Sequence, residues 1–460
     1  MGARAAAALQ HGFRGQLIAP GDPEYDRARA VWNGAIDRHP ALIARCSGTA
    51  DVLLAVEVAR EQGLPVAVRG GGHSIAGLAL CEGGLVVDLS SMRDVRVDAE
   101  RRIAHAQPGV TWGGLDQETQ RCALATPGAP ISSTGIAGFT LGGGFGWLSR
   151  AYGLACDNLL EAELVTADGR VVTASAARNP ELFWGIRGGG GNFGIATSFS
   201  YRLHPVGPQV LCGMLHFAAD RAPQVLRAVR GHLRGAPDGL SVTCLLGTAP
   251  ADPSLPTEVH GTRVISVAMC YAGRPERGRG AMAPLRALPG VLADTVQLRP
   301  YTVWQQALDR GRGPGARNYW KAEYLATLND TAIATLTGDF ARITSPLSRI
   351  QLVFLGGAIA RVGADDTAYT HRAAPYLLAV ESRWHQPAED PVHTAWTGRL
   401  WTAMRAYSSG GASVNFLGQE GPGRILEAYG PAKYRRLTAL KDVYDPGNLF
   451  RVNQNIPPSS

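Results

Sequence analysis

Pro65-Val-Ala-Val-Arg-Gly-Gly-Gly-His-Ser-Ile-Ala-Gly77 is the stretch whose reading decides the fold. Val66, Ala67 and Val68 form a short apolar run of strand type that feeds directly into Arg69 and three glycines. Gly70, Gly71 and Gly72 allow successive backbone N–H groups to turn towards one point, which makes a nest for a phosphate-like anion. His73 leaves the nest with its imidazole beside whatever the nest holds, and Ser74 follows it. A tight loop carrying a surface histidine is the competing account of these residues taken alone.

On the N-terminal side, residues 23–35 and 48–62 are predicted helical, the second with an apolar stripe behind Ser47-Gly-Thr49. On the C-terminal side, residues 84–89 and 102–106 are short strands and residues 112–122 a helix. A second glycine-rich stretch, Ile131 to Trp147, mixes glycines, hydroxyls and apolar residues too closely for a plain helix or strand. Such a backbone can pass close over a flat ligand, or can be a buried turn between elements. Ala167-Asp-Gly169 between strand-like runs marks a hairpin.

The third glycine-rich stretch contains a decoy. Gly189, Gly191 and Gly194 match the dinucleotide fingerprint G-x-G-x-x-G, which requires a strand before it and a helix after it. Here a predicted helix over 180–186 precedes the glycines and a strand over 195–203 follows, so the nicotinamide-dinucleotide reading fails on context.

His204-Pro-Val-Gly-Pro208 reads as a domain boundary. Beyond it, strands at 264–271, 350–360 and 377–383 alternate with helices at 222–234, 330–340 and 366–374, a separate α+β unit. Asn318-Tyr-Trp-Lys-Ala-Glu-Tyr324 is either a packed aromatic edge strand or part of a pocket. A helix over 422–442 leads to Asn453-Gln-Asn-Ile456, whose amides predict a docked polar finger that meets alternating donors and acceptors.

Composition narrows the class. The 460 residues suffice for two or three domains, and 45% hydrophobic with 18% charged residues is ordinary for a soluble globular protein. No apolar run approaches membrane-spanning length, and the first nine residues read as a frayed terminus, which points to the cytoplasm. Seven scattered cysteines, none in a Cys-x-x-Cys pair, argue against a disulfide framework and against a metal site. The net charge of +7 is spread along the chain without a basic block, so no nucleic-acid partner is expected. A mild attraction for an anionic cofactor or substrate is all that the charge implies.

In order and spacing, Arg69-Gly-Gly-Gly-His73, Gly142-Gly-Gly-Phe-Gly146, Tyr152-Gly-Leu, Asp157-Asn158, Arg187 to Gly194, and Asp445-Pro with Asn453 to Ile456 resemble one family. It is the FAD-linked oxidases with a PCMH-type flavin domain, in the berberine-bridge-enzyme-like branch, over residues 30–458. The resemblance implies an α+β protein: a two-subdomain PCMH-type FAD-binding fold over residues 1–207, and a substrate domain over 208–410 with an antiparallel sheet covered by helices. Residues 411–460 then return to the flavin domain. It implies FAD bonded covalently through His73, with the nest 69–74 on the pyrophosphate. Thr134, Gly135, Gly138, Gly142, Gly143, Gly144, Gly146, Gly194, Ile195, Asn453 and Asn455 complete the implied cofactor site.

Many members carry a second link from a cysteine eleven residues before the Gly-Gly-Gly. Ile131 stands there, so no cysteinyl bond is expected, as in the bacterial subgroup that includes 6-hydroxy-D-nicotine oxidase. The implied activity is hydride removal from a small organic molecule, possible cyclisation included, with dioxygen reoxidising the flavin to give hydrogen peroxide. Thr134, small and beside the ring, favours an oxidase over a dehydrogenase that uses another acceptor. A non-catalytic flavin- or ligand-binding protein is the third alternative.

A base is harder to place. Counting along the strand at 349–358 turns Gln351 and Val353 to the pocket, and neither is a base. Tyr324, Tyr376, Glu381 and Lys321 are the remaining candidates, while Asn415 matches a position that orients substrate in relatives.

Overall fold

The computed structural model describes residues 2–253 and 255–459. The first layer is a four-stranded sheet in the order Gln16–Ile18, Leu42–Arg45, Leu85–Asp88, Val66–Arg69, and the last three strands run parallel. Helix Thr49–Gln62 makes the crossover that a parallel sheet needs, burying Val52, Ala55, Val56 and Ala59. It stops at Gly63, whose φ of 63° lets its N–H reach back to the carbonyls of Ala59 and Arg60. Of the predicted helix over 23–35, only Tyr25–Arg29 is helical.

A second sheet, antiparallel throughout, has the order Val95–Asp98, Ile103–Ala106, Ile195–Arg202, Leu159–Val165, Val171–Ser175. Its last two strands form the hairpin expected around Ala167-Asp-Gly169. The predicted context of the G-x-G-x-x-G decoy is present: helix Pro180–Ile186 precedes it and strand Ile195–Arg202 follows.

The third sheet is antiparallel, in the order Val291–Asp294, Gln209–Ala218, Arg263–Tyr271, Leu240–Thr248, Arg349–Phe354, Tyr376–Trp384, Arg317–Leu325. Helices Ala222–Leu233, Pro275–Arg286, Asp330–Phe340 and Asp390–Met404 cover one face, where Val225, Met282, Ile333 and Trp396 join Leu352, Phe354, Leu378 and Val380 in one core. The side-chain period of two turns Val353, Leu377, Ala379, Ala322 and Tyr324 to the opposite face, against Phe145, Leu154 and Tyr369. Arg317–Leu325 is the edge strand of the sheet.

Two expectations fail. The strand predicted over 350–360 ends at Phe354, and a short helix, Ala358–Arg361, follows. Residues 366–374 are not a helix, because long-range bonds hold them as a loop. Arg372 makes a buried bidentate ion pair with Asp157 (2.6 and 3.0 Å), Thr370 Oγ1 donates to the Tyr429 carbonyl, and the Tyr369 N–H donates to Arg187.

The chain end returns to the second sheet: Leu437, Leu440 and Ile456 share a core with Phe193, Phe199 and Tyr201. Helix Pro422–Tyr444 breaks at Gly430, which has φ 72° and precedes Pro431. All seven cysteines are free. Among the described residues no helix is long and apolar enough to cross a membrane.

Candidate functional site

Where the first two sheets meet the returning C-terminal segment lies a long cleft enclosing about 1400 Å³, its open mouth included. The strand Val66–Arg69 delivers the glycine nest to its wall, and Gly70, Gly71, Gly72, His73 and Ser74 all line it. The amide N–H groups of residues 71–74 have no acceptor among the described residues. Arg69 stands behind the nest, where its guanidinium donates to the Ala28 carbonyl and packs under Gly72.

The opposing wall comes from the second glycine-rich stretch. It contains a short helix, Ile136–Leu141, which the density of glycines concealed. Thr134, Gly135, Gly138 and Gly142 line the cleft from this side, and Gly194 and Ile195 from the third stretch. The Gly71 and Gly135 backbones cross so closely that a Cβ on either would lie within 3 Å of the other's Cα. Gly143, Gly144 and Gly146 lie outside this wall, packed against Tyr369, Phe139 and Gly128 respectively.

Among the described residues, His73 is the one imidazole on the cleft wall. Its ring stacks on Trp32 (5.3 Å, 20°), and Nε2 lies 3.0 Å from Ser133 Oγ. Burial pushes its pKa down to about 4, so the ring is neutral at physiological pH. Neither Trp32 nor Ser133 was among the predicted site residues. Sequence held no signal for Trp32, which stands 41 positions from His73 and is joined to it only by the fold, whereas Ser133 is one of the hydroxyls of the second glycine-rich stretch.

The predicted polar finger is docked. Asn453 and Gln454 line the cleft, and Asn453 Nδ2 donates to the carbonyls of Gly191 and Phe450. Asn192 holds the finger in place: its Nδ2 donates to Gly189 and Gln454, and its Oδ1 accepts from the Ile456 N–H (3.0 Å). Asn192 was overlooked as a site residue although it lies inside the quoted Arg187–Gly194 motif. Asn455 stands outside the lining, yet its Oδ1, the Asn453 Oδ1 and the Tyr429 hydroxyl are all buried without a protein partner. Unpaired amide and hydroxyl groups together with the unused N–H groups of the nest fit a long ligand with an anionic centre and a heteroaromatic ring. FAD has that form.

The candidates for substrate chemistry separate. Asn415 lines the cleft, its Nδ2 donating to the Phe139 carbonyl (2.9 Å) while its amide fills the space that a Cβ at Gly142 would need. Tyr324 is fully buried behind Gly143, stacked on His371 and hydrogen-bonded to the Tyr369 hydroxyl. Burial raises its pKa to about 12, which makes it a poor base at neutral pH.

Tyr376 is not at the site: strand parity turns it into the helix-covered core, edge-on to Phe354. Lys321 is also on the helix side, 2.7 Å from Glu420 and over the Trp401 ring. Gln351 does face residues 130–156, bordering a small separate cavity with Phe145 and Trp147. Glu381 is committed to Arg312 and Arg349, at 3.0 and 2.8 Å.

Comparison with known proteins agrees with this geometry. The FAD binding domain family matches residues 40–175, and the berberine and berberine-like family matches residues 414–457. The chain is 32% identical over 460 residues to the (R)-6-hydroxynicotine oxidase of Paenarthrobacter nicotinovorans, covering 97% of each protein. The crystal structure of 6-hydroxy-D-nicotine oxidase from Arthrobacter nicotinovorans superposes with a TM-score of 0.88 at 28% identity, over 97% of this chain and 99% of that one. The carbohydrate oxidase from Microdochium nivale gives 0.85 at 25%, over 99% and 100%.

Proposed function

Because the chain belongs to the berberine-bridge-like FAD-linked oxidoreductases, we propose that it is an oxidase of a small organic molecule whose FAD is bonded covalently to His73. The observation that carries this reading is the placement of a neutral histidine on the cleft wall, directly after the nest. Bound there, FAD supplies an acceptor for a hydride from substrate carbon and a means of passing two electrons to dioxygen, with release of hydrogen peroxide.

The chain's own residues do the rest. The N–H groups of residues 71–74 would hold the pyrophosphate, with Thr134–Gly142, Gly194–Ile195 and Asn453–Gln454 lining the rest of the cofactor site. The Ser133 hydroxyl engages His73 Nε2 and fixes the imidazole, leaving Nδ1 for the bond to the flavin. In the tautomer whose Nε2–H donates to Ser133 Oγ, Nδ1 of the neutral ring would keep the lone pair that a bond to the cofactor needs.

Neither a free carboxylate nor a free lysine is found among the sequence candidates for a base. The substrate therefore brings its own labile proton or lone pair, as an amine, a phenol or an enol does. Tyr324 acts as a positioning residue through Tyr369. Tyr324→Phe should slow turnover by no more than about tenfold and leave its pH profile in place, whereas loss of a true base costs roughly 10²–10⁴-fold. A loss of that larger size, with a shifted profile, would contradict this assignment.

Thr134 leaves room for oxygen at the ring. In Thr134→Leu, reoxidation of photoreduced protein by air-saturated buffer should slow by about tenfold, a barrier rise of ~1.4 kcal/mol. An unchanged rate would remove Thr134 from the oxygen path. The activity itself is tested by anaerobic mixing with panels of amines, phenols and alcohols, followed by admission of air. The flavin should lose its colour with one class and yield peroxide with air. Colour that persists with every class would identify a carrier, and colour lost without peroxide on reoxidation a dehydrogenase. Seven unpaired thiols suit a reducing compartment, so we place the activity in the cytoplasm.

A further inference from the structure

One end of the sheet face opposite the covering helices carries an excess of buried positive charge. Arg349, Glu381 and Trp320 share a row across three adjacent strands, and Arg383 with Asn318 forms the next. Arg312 reaches in from the preceding loop. Arg312, Arg383 and Glu381 are buried, and only 13% of the Arg349 side chain is exposed. Three guanidiniums thus surround a single carboxylate, which pairs with Arg312 and Arg349, while Arg383 has no carboxylate partner among the described residues.

The hydrogen-bond inventory is unbalanced in the same direction. Arg383 Nε and Trp320 Nε1 are buried with no acceptor, and Arg312 Nη1 contacts Glu381 without the alignment of a hydrogen bond. Buried charges are ordinarily paired, and buried donors are ordinarily satisfied. A surplus of two charges and of unmatched N–H donors calls for an acceptor that is itself anionic. Burial, and then the Arg349 and Arg383 charges, push the Arg312 pKa down to about 9 against the opposing pull of Glu381.

The patch adjoins the proposed cofactor. Arg383 lies over the Trp32 ring (5.1 Å), Trp320 packs edge-on to it (5.5 Å), and Trp32 is the indole on which His73 stacks. One aromatic ring therefore separates the surplus charge from the residue proposed to carry the flavin. Trp320 also packs against Phe416, which stacks on Phe145, so an aromatic wall continues from the patch.

We infer that Arg312, Arg349, Arg383 and the Trp320 indole form an anion subsite, and that the substrate is an aromatic or otherwise apolar molecule bearing a carboxylate. A guanidinium fork matches the planar carboxylate, and the indole N–H supplies a further donor. The inference rests on the proposed oxidase function for its meaning, but its test does not depend on turnover.

Benzoate and the isosteric but uncharged benzamide serve as probes of the flavin-loaded protein, with binding followed by tryptophan fluorescence and calorimetry. Benzoate should bind about tenfold or more tighter than benzamide. Arg383→Gln should erase that preference while leaving flavin content unchanged. Trp320→Phe, which removes one N–H and keeps an aromatic ring, should weaken benzoate several-fold and benzamide less, and it serves if Arg383→Gln does not fold. Equal binding of the two probes, no benzoate binding at all, or a preference that survives the folded variants would overturn the subsite. Failure of the oxidase reading is separate: it would show as absent or unreducible flavin, whichever probe binds.

Discussion

Gly71→Ala should yield a protein that purifies without flavin. A Cβ at position 71 would stand 2.6 Å from the Gly135 Cα and closer still to its amide nitrogen, distances that no real methyl group tolerates. The neighbours are backbone, so no side chain can rotate away, and the two loops must separate. Those loops carry the proposed pyrophosphate nest on one side and Thr134 on the other, and opening them spoils both walls at once. Overpacking alone costs about 1–3 kcal/mol. A displaced nest should add a loss in FAD affinity of roughly 100-fold or more, about 2.7 kcal/mol. Gly231→Ala is the control: its added methyl meets nothing within 4 Å on helix Ala222–Leu233, and it should keep full flavin content. The flavin-to-protein absorbance ratio reads both. A wild-type ratio in Gly71→Ala would show that the close crossing does not shape the site.

The second large effect is expected at Lys441, a fully buried lysine on the returning helix. Its ammonium lies 2.7 Å from Asp445 Oδ2 and donates to the carbonyls of Asn192 and Phe450, both at 2.9 Å. Asp445 in turn accepts from the N–H groups of Leu449 and Phe450. One ion pair thus ties the helix end, the third glycine stretch and the start of the polar finger. Burial pushes the Lys441 pKa down, and the charge and hydrogen bond of Asp445 oppose that push.

Lys441→Met would strand the buried carboxylate, at a cost of about 3–5 kcal/mol. The melting temperature should fall by on the order of 5–10 °C. Lys441→Met with Asp445→Asn should recover part of the loss, because the stranded charge is then gone. A single variant that melts with the wild type would mean that the finger is held by other contacts.

How far sequence carried the reading depended on the range of the forces involved. The nest strand, the helix at Thr49–Gln62, the hairpin at Ala167-Asp-Gly169 and the rejection of the dinucleotide fingerprint rest on local rules, and the structure contains each of them. Residues 366–374 misled because their composition suits a helix, while Asp157, Arg187 and Tyr429 hold them as a loop. Lys321 lay in a stretch open to two readings, edge strand or pocket, and Tyr376 one residue before the strand predicted at 377–383, but which face of a sheet each side chain joins is decided by its register with helices distant in sequence. The Trp32–His73 stack and the arginines around Glu381 bring together residues from strands and loops far apart in sequence. For that reason the cofactor side of the site was more legible than the substrate side.

The central claim, FAD bonded to His73, is tested most directly by denaturing the purified protein in acid and asking where the yellow colour goes. The account predicts that colour pellets with the chain, and that His73→Ala, supplied with FAD, releases it to the supernatant. Colour left in the supernatant by the wild-type protein, or retained in the pellet by His73→Ala, would contradict it.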